Sequence, residues 1–163
     1  MTEDSLITEE ARAMIGKETE PATGEVHAKE IRRFCFAVGD LNPLYLDEGE
    51  VTRSQHGGIV APPMFFDIAN IGEYPLEELK DDGMAQSGIR PPLKAQRSMA
   101  GGNEIEFFKP MRPGDRITLV TKISDMYEKL GKNGRLVFTV YEHTYTNQDD
   151  ELVAIARQTG ISW

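Results

Sequence analysis

The sequence predicts a single α+β domain in which helices come first and antiparallel strands follow. Residues 27–38 carry apolar side chains at helical spacing, whereas residues 104–163 are a succession of strand patterns separated by polar turns. Helices followed by a run of strands are typical of an α+β domain, and 163 residues suffice for one buried core. We expect one domain over residues 1–163, with residues 1–7 disordered and residues 72–99 forming a long loop.

The helices are predicted from apolar spacing and from the residues at their ends. Residues 27–38 are the clearest helix, and Gly39 supplies a stop. The apolar face of this helix is formed by Ile31, Phe34, Cys35 and Val38. Residues 61–71 predict a second helix, because two prolines suit its first turn and the side chains that follow are apolar nearly all round. A shorter helix is expected after Thr8, a suitable N-cap, and before Gly16.

The C-terminal part of the chain predicts an antiparallel meander. Residues 104–108 have a strand pattern, and residues 116–123 alternate between apolar and polar side chains with a period of two. Residues 135–146 and 152–163 are two further strands, and turns rich in Gly, Asn and Asp separate them. We therefore expect consecutive strands to pair in one antiparallel sheet.

Composition disfavours several classes of partner. A net charge of -9 argues against nucleic acid and anionic membranes, which need clustered Lys and Arg. No apolar stretch approaches the ~18 residues that cross a bilayer, and the acidic N-terminus is unlike a signal peptide. The single cysteine, Cys35, lies on an apolar helix face, so we expect it to be a buried packing residue. Without an intrachain disulfide, the chain suits the reducing cytoplasm.

A small cluster of cations stands out in this acidic chain: Arg90, Lys94 and Arg97. The cluster has two interpretations, a patch that binds the phosphates of a coenzyme A thioester or a solvated surface patch. The three histidines and one cysteine show no metal-ligand spacing, and the sequence has no phosphate-binding loop or dinucleotide fingerprint. We therefore expect neither a metal nor an organic cofactor.

Three separated motifs carry a resemblance to a known family. Residues 36–43 read Phe-Ala-Val-Gly-Asp-Leu-Asn-Pro, and residues 56–63 read His-Gly-Gly-Ile-Val-Ala-Pro-Pro. Residues 101–108 read Gly-Gly-Asn-Glu-Ile-Glu-Phe-Phe, and residues 110–115 follow with Pro-Met-Arg-Pro-Gly-Asp. In this order the motifs resemble the N-terminal dehydratase-type domain of the MaoC family, over about residues 25–163. Members of that family are hydratases and dehydratases of acyl thioesters.

The resemblance implies a fold and a reaction. The fold is the hot-dog fold, a long central helix wrapped by a curved antiparallel sheet, and similar proteins dimerise by joining two sheets edge to edge. The ligand is an acyl-CoA or an acyl-carrier thioester that lies in a tunnel at the dimer interface. In active members, an Asp and a His activate a water that adds to a trans-2-enoyl thioester or leaves a 3-hydroxyacyl thioester. A backbone N–H near the start of the central helix polarises the thioester carbonyl.

The catalytic motif is matched at Asp40 and broken at Tyr45. Asp40 corresponds to the catalytic Asp of the family, although a loop carboxylate can also simply cap local N–H groups. Asn42 matches the Asn that shapes the same loop, and either a turn role or substrate contact fits it. Tyr45 stands where the family has His. A phenol titrates near pH ~10 and an imidazole near ~6.5, so Tyr can donate a hydrogen bond but cannot readily activate water as a base.

The resemblance also implies candidates around the second motif. Gly57, Gly58 and Ile59 precede the predicted second helix, so they either present the N–H donor for the thioester carbonyl or only permit a tight turn. His56 is the one histidine close in sequence to this turn. His143 lies in a strand, where packing is the ordinary role.

These observations lead to one main hypothesis and three alternatives. The chain is predicted to be a subunit of an (R)-specific enoyl-CoA hydratase or 3-hydroxyacyl thioester dehydratase, a hydro-lyase completed by a His-containing hot-dog subunit in a heterodimer. The first alternative is a self-sufficient homodimeric hydratase that uses Asp40 with Tyr45 or His56. The others are a hot-dog thioesterase and a non-catalytic module that binds acyl thioesters.

Overall fold

A five-stranded antiparallel sheet with strand order β1-β3-β4-β5-β2 forms the centre of the fold. The structure is a computed structural model that describes residues 5–47, 49, 57–69, 76–79, 81, 88–132 and 134–163. The strands are β1 (Ala22–Glu25), β2 (Ser98–Phe107), β3 (Arg116–Gly131), β4 (Gly134–Thr146) and β5 (Leu152–Ser162). The helices are α1 (Glu9–Arg12), α2 (Ala28–Val38), α3 (Pro43–Leu46) and α4 (Phe66–Ala69).

The predicted meander is confirmed, and two of its strands are longer than expected. β3, β4 and β5 pair consecutively, and β2 pairs with the far side of β5. β2 begins at Ser98, so the last two residues of the predicted loop 72–99 belong to a strand. The reason is tertiary pairing, because Ser98 and Met99 face Ser162 and Ile161 of β5.

A glycine allows β2 to approach β5 closely where their register shifts. The shift lies between Ala100 and Gly102, and Gly101 sits inside it. A Cβ atom at Gly101 would come within 2.9 Å of the Ile161 Cγ1 atom and 3.0 Å of the Thr159 carbonyl oxygen. Glycine is therefore required at position 101 by packing.

The main core lies between α2, α4 and the sheet. Ile31 and Cys35 of α2 are fully buried, which confirms the predicted helix and the packing role of Cys35. Phe66 is buried at the start of α4, and its ring meets Tyr145 edge-on at a centroid distance of 4.8 Å. The same ring packs edge-on against Phe107 at the end of β2, at 5.8 Å. This aromatic group fixes α4 over one end of the sheet.

The predicted helix over 61–71 begins later than expected. Pro63–Phe65 form a 3-10 turn and α4 follows as a single helical turn, while residues 70 and 71 lie outside the described part of the chain. The cause is the proline pair. The ring of Pro63 disfavours the helical conformation at Pro62, whose ψ is 148°. Met64 is 47% exposed, so this segment is not buried on all sides.

A second core cluster involves the N-terminus, and the prediction of disorder for residues 1–7 is wrong for Ser5, Leu6 and Ile7. The Leu6 N–H and the Ser5 hydroxyl donate to the Glu128 carboxylate at 2.6 and 3.1 Å. The cluster contains Ile7, Ala11, Ile123, Met126 and Val137. Thr8 caps α1 as predicted, because its Oγ1 accepts a hydrogen bond from the Ala11 N–H. The prediction of disorder missed that Ile7 has apolar partners in β3 and β4.

The loop before β2 is described only in part. Leu76–Glu78 form a 3-10 turn, and Ile89 and Leu93 pack against the second core cluster. None of the helices in the described ranges is long and apolar enough to cross a membrane.

His143 lies in β4 opposite Thr121 of β3. The imidazole Nδ1 and the Thr121 Oγ1 share a hydrogen bond of 2.9 Å. Burial lowers the pKa of His143, and the Asp67 carboxylate offsets part of that effect. A partly buried, hydrogen-bonded histidine fits the structural role expected for this position.

Replacing Gly101 with Ala should lower the free energy of unfolding by about 1–3 kcal/mol, because the added methyl group overlaps Ile161 and a backbone carbonyl. Gly102→Ala is the matched control, since no atom lies within 4 Å of its added Cβ. Urea denaturation should show the control within about 0.5 kcal/mol of the original protein. Equal losses in the two variants would contradict this account of the register shift.

Stability should fall as the pH drops below about 6.5, where an unfolded histidine takes up a proton that folded His143 resists. The pKa of His143 is lowered in the folded state, so the unfolded state binds more protons in this window and acid favours unfolding. Melting temperatures of the protein and of His143→Gln between pH 7 and pH 5 measure the effect. The variant should lose less stability over this range; equal losses would refute the assignment.

Candidate active site

The first motif forms a loop and one helical turn after α2. Gly39 ends α2 with a φ of 75°, and the Asp40 N–H donates to the Cys35 carbonyl at 3.0 Å. The Asn42 side-chain oxygen accepts a hydrogen bond from the Leu44 N–H at 3.1 Å and starts α3, with Pro43 in its first turn. Each defining residue of the motif therefore has a local conformational role.

Asp40 and Tyr45 lie at the two ends of this loop. Asp40 is exposed, and its carboxylate accepts a hydrogen bond from the Asn42 N–H at 3.3 Å, which is the local capping interaction. Tyr45 is half-buried. Burial raises the pKa of Tyr45, and the charges of nearby Asp40 and Cys35 raise it further. Near neutral pH the phenol is protonated, so it can donate a hydrogen bond but cannot accept a proton.

Cys35 of α2 is buried next to the loop that carries Asp40. Burial raises the pKa of the Cys35 thiol, and the Asp40 carboxylate adds to the rise. The thiol is completely buried and stays protonated. It packs beneath the loop and offers no nucleophile to a ligand.

The second motif connects the other two. Gly57 turns the chain with a φ of 64°. The Val60 N–H then donates to the Leu44 carbonyl at 3.4 Å, and the Ala61 N–H donates to the Met111 carbonyl at 2.8 Å. Val60 is thus hydrogen-bonded to the helical turn that follows the first motif, and Ala61 is hydrogen-bonded to the segment after β2.

Two backbone donors precede these bonds. Among the described residues, the N–H groups of Gly58 and Ile59 make no hydrogen bond. These groups are next to Val60, and their role as donors to a thioester carbonyl stays a prediction. His56 lies outside the described residues.

An apolar pocket of about 300 Å³ opens where the three motifs meet. The pocket is lined by Leu44, Tyr45, Val60, Ala61, Pro62, Pro63, Phe66, Phe107, Phe108, Lys109, Pro110, Met111 and Val153. Only Tyr45 and Lys109 carry polar side chains there, and Lys109 forms an ion pair with Glu151. No imidazole is present among these lining residues. The volume is at the lower end of the range for small-molecule sites.

The structure brings one predicted site residue to the pocket and leaves others outside its lining. Tyr45 forms part of the wall, whereas Asp40, Asn42 and residues 57–59 are not in contact with the cavity. The charge of Asp40 raises the pKa of the Tyr45 phenol, although Asp40 itself does not line the cavity. The first motif is therefore followed directly by Tyr45, which supplies the pocket with a hydrogen-bond donor.

Sequence analysis missed the aromatic part of the pocket. Phe107 is the last residue of β2 and Phe108 follows it, and they are 49% and 50% exposed. Both side chains line the same pocket, because Phe108 lies beyond the end of the strand, where the alternation of strand side chains no longer applies. The pair is visible in the third motif and indicates an apolar surface at the end of that strand.

Comparisons with known proteins agree with this architecture. A model of the family "FAS1-like, dehydratase domain region" matches residues 13–156. The "UPF0336 protein SCO4636" of Streptomyces coelicolor is 29% identical over 124 residues, 75% of this chain and 77% of that protein. The "probable enoyl-CoA hydratase alpha subunit" of Thermomonospora curvata is 29% identical over 147 residues, 85% of this chain and 46% of that protein.

A solved structure shows the same fold. A chain of the ChsH1-ChsH2 complex of Mycobacterium tuberculosis superimposes with a TM-score of 0.76 at 20% identity, covering 95% of this chain and 94% of that one. The likeness confirms the predicted α+β hot-dog fold. Since the family model spans most of the sequence and the MaoC-like motifs meet at one pocket, the chain belongs to the family of FAS1-like, MaoC-type dehydratase domain regions.

Proposed function

We propose that this chain is the acyl-binding subunit of an (R)-specific enoyl-CoA hydratase or 3-hydroxyacyl thioester dehydratase, and that a second hot-dog chain supplies the imidazole. The observation that carries the proposal is the intact loop of the first motif with Tyr45 on the pocket wall, where similar enzymes have His. The chain belongs to a hydratase and dehydratase family, and the imidazole that Tyr45 replaces is essential for that chemistry in the active members.

The reaction requires one group that takes a proton and one that gives a proton. Efficient groups titrate near the working pH, as imidazole does. Tyr45 is held in its protonated form by burial and by Asp40, so it can only donate. No histidine lines the described pocket, and His143 is bonded to Thr121 elsewhere on the sheet. In this proposal Asp40 and Tyr45 orient the reacting groups, and the partner chain moves the proton.

The pocket supports binding of an acyl chain. Its walls are nearly all apolar, with Phe66, Phe107 and Phe108 contributing aromatic surface. Burying apolar surface gains about 25 cal/mol per Å², which suits a hydrocarbon tail and not a charged substrate. The unused N–H groups of Gly58 and Ile59 precede this wall and suit the thioester oxygen.

The free edge of the sheet supports pairing with a partner. β2 is bonded to β5 on one side only, and all of its ten residues except Ile105 are exposed. An exposed edge of this length is a template for another strand. A homodimer would bring together two pockets that both have Tyr45, whereas a heterodimer with a His-containing chain would complete one site. The relatives are named as a complex of two chains and as an alpha subunit, which agrees with the second arrangement.

The purified chain alone should not hydrate crotonyl-CoA or longer trans-2-enoyl-CoAs, because no imidazole lies among the described residues that line its pocket. Adding the His-containing partner should start turnover, measured as loss of the enoyl thioester absorbance.

The other outcomes of this assay would establish the alternatives. Robust hydration by the lone protein that Asp40→Asn abolishes would establish a self-sufficient homodimer. Release of free thiol from saturated acyl-CoAs would establish a thioesterase, and binding without turnover in any combination would establish a binding module.

The substitution Tyr45→His should give the lone chain hydratase activity, because it completes the motif with a group that titrates near ~6.5. General acid–base catalysis contributes about 10²–10⁴-fold, so initial rates with crotonyl-CoA should rise at least about a hundredfold above the original chain. Tyr45→Phe is the matched control, since it changes the same ring without adding a base. A Tyr45→His protein as inactive as this control would show that something other than the imidazole is missing.

A further inference from the structure

We propose that a row of polar side chains on the inner face of the sheet binds a neutral oxygen far along the acyl group. The row consists of Asn103 of β2, Gln158 of β5 and Tyr141 of β4. The preferred substrate is then an acyl thioester whose chain carries a ketone or a hydroxyl group. The inference rests on the proposed acyl-binding role and names the class of acyl group that this chain accepts.

The register of the sheet sets the three side chains of the row next to one another. Asn103 faces Gln158 across β2 and β5, and Gln158 faces Tyr141 across β5 and β4. Ile105 and Ala156 face each other two residues along the same strands, so they point to the same side of the sheet as the row. Ala156 belongs to the main core and Ile105 packs against it. The row is therefore on the face of the sheet that covers the core.

The row lies between two apolar clusters, and its side chains have no partners. The main core lies on one side of it, and Tyr141 packs against the second core cluster on the other. Asn103 and Gln158 are exposed. In the described part of the chain, none of the three side chains makes a hydrogen bond. On the outer face of the same strands, by contrast, the Arg157 guanidinium is paired with two glutamate carboxylates.

Tyr141 supplies the row with a hydroxyl donor. A Cβ atom at Gly160 would lie 3.6 Å from the Tyr141 Cε2 atom, so the phenol ring lies close to β5. Burial raises the pKa of Tyr141, and the charge of Arg90 lowers it in part. The hydroxyl is protonated near neutral pH and can donate a hydrogen bond.

The row lies within reach of a long acyl chain that starts in the apolar pocket. Phe107 lines that pocket and is four residues from Asn103 on the same strand and face, a separation of about 13 Å. Ile105 lies between them and continues the apolar surface along β2. An extended chain covers about 1.2 Å per bond, so the row meets an oxygen about ten bonds beyond Phe107.

The residue types in the row select a neutral oxygen. Amide and phenol groups donate hydrogen bonds without carrying a charge. Side chains that face each other on neighbouring strands have Cβ atoms about 5 Å apart, so the amides of Asn103 and Gln158 can reach the same oxygen. A plain hydrocarbon chain would cover these groups and leave them unpaired, which costs free energy. The row therefore favours an oxygenated chain over an unsubstituted one.

Binding of matched acyl thioesters to the purified chain tests the row directly. Dodecanoyl-CoA has no double bond to hydrate, so its dissociation constant can be measured by calorimetry. The 11-oxo and 11-hydroxy derivatives, titrated separately to distinguish a ketone from a hydroxyl, should include one that binds at least about tenfold more tightly. A 5-oxo derivative, whose oxygen is too close to the thioester to reach the row, should show no such gain.

Substitutions on the two faces of β5 provide the matched comparison. Gln158→Leu should abolish the preference for the oxygenated chain, because it removes a donor from the row. Thr159→Val should preserve it, because Thr159 is the next residue of β5 and points to the outer face. Equal affinity for the oxygenated and plain thioesters, or an equal loss of preference in both variants, would overturn the proposal.

A kinetic measurement separates this proposal from the hydratase assignment. In the complex co-purified with its partner, kcat/KM should be at least about tenfold higher for the preferred oxygenated trans-2-dodecenoyl-CoA than for the plain one, and Gln158→Leu should remove the difference. Crotonyl-CoA is too short to reach the row and should be hydrated equally well by both forms. Equal kcat/KM for the two long substrates would refute the polar row alone. Preferential binding without hydration by the complex would refute the hydratase role alone.

Discussion

Two backbone hydrogen bonds from consecutive residues hold the candidate site together. The Val60 N–H binds the Leu44 carbonyl, and the Ala61 N–H binds the Met111 carbonyl. Through them, segments that are far apart in sequence become three walls of one pocket. Buried or partly buried backbone donors need such partners, so the contacts are also a structural requirement. The pocket is therefore a consequence of the hydrogen bonds that pair the backbone N–H groups of Val60 and Ala61.

The same contacts decide what the pocket can do. They hold α3 against the second motif, and this half-buries Tyr45 and keeps its phenol protonated. The Tyr45 phenol lines the apolar cavity as a hydrogen-bond donor, whereas the Asp40 carboxylate and the N–H groups of Gly58 and Ile59 lie outside its lining. No imidazole, the group that ordinarily exchanges protons near neutral pH, lies among the described residues that line the cavity. In the proposed heterodimer, the second chain would join at the edge of β2 that no described strand of this chain occupies.

Local sequence patterns predicted the elements whose structure is set locally. The apolar spacing of α2, the stop at Gly39 and the Thr8 cap all depend on residues within one or two helical turns, and all are confirmed. The alternation in β3 predicted its strand for the same reason. The second helix was predicted to begin at residue 61 because the side chains there are apolar. It begins at Phe66 instead, because two adjacent prolines keep the backbone at Pro62 out of the helical conformation.

Features that depend on distant partners could not be predicted in this way. Ser5 and Leu6 are ordered because Glu128 accepts their hydrogen bonds. Glu128 is more than 120 residues away in sequence, so the local pattern at the N-terminus could not predict this contact. The pocket lining joins Tyr45 to Phe107 and Val153, a set fixed only by the sheet order and by the register of β2 on β5. Trp163 likewise joins Lys94 and Arg97 through pairing at the end of β5, so a cluster of cations in the sequence becomes a cleft with an aromatic wall.

The mass of the intact assembly from the native host tests the central claim most directly. Native mass spectrometry of the tagged protein should find this 18.2 kDa chain bound to a second, different chain, and sequencing should identify that chain as a hot-dog protein with His in its catalytic motif. An assembly that contains only copies of this chain, and that hydrates an enoyl thioester, would contradict the account.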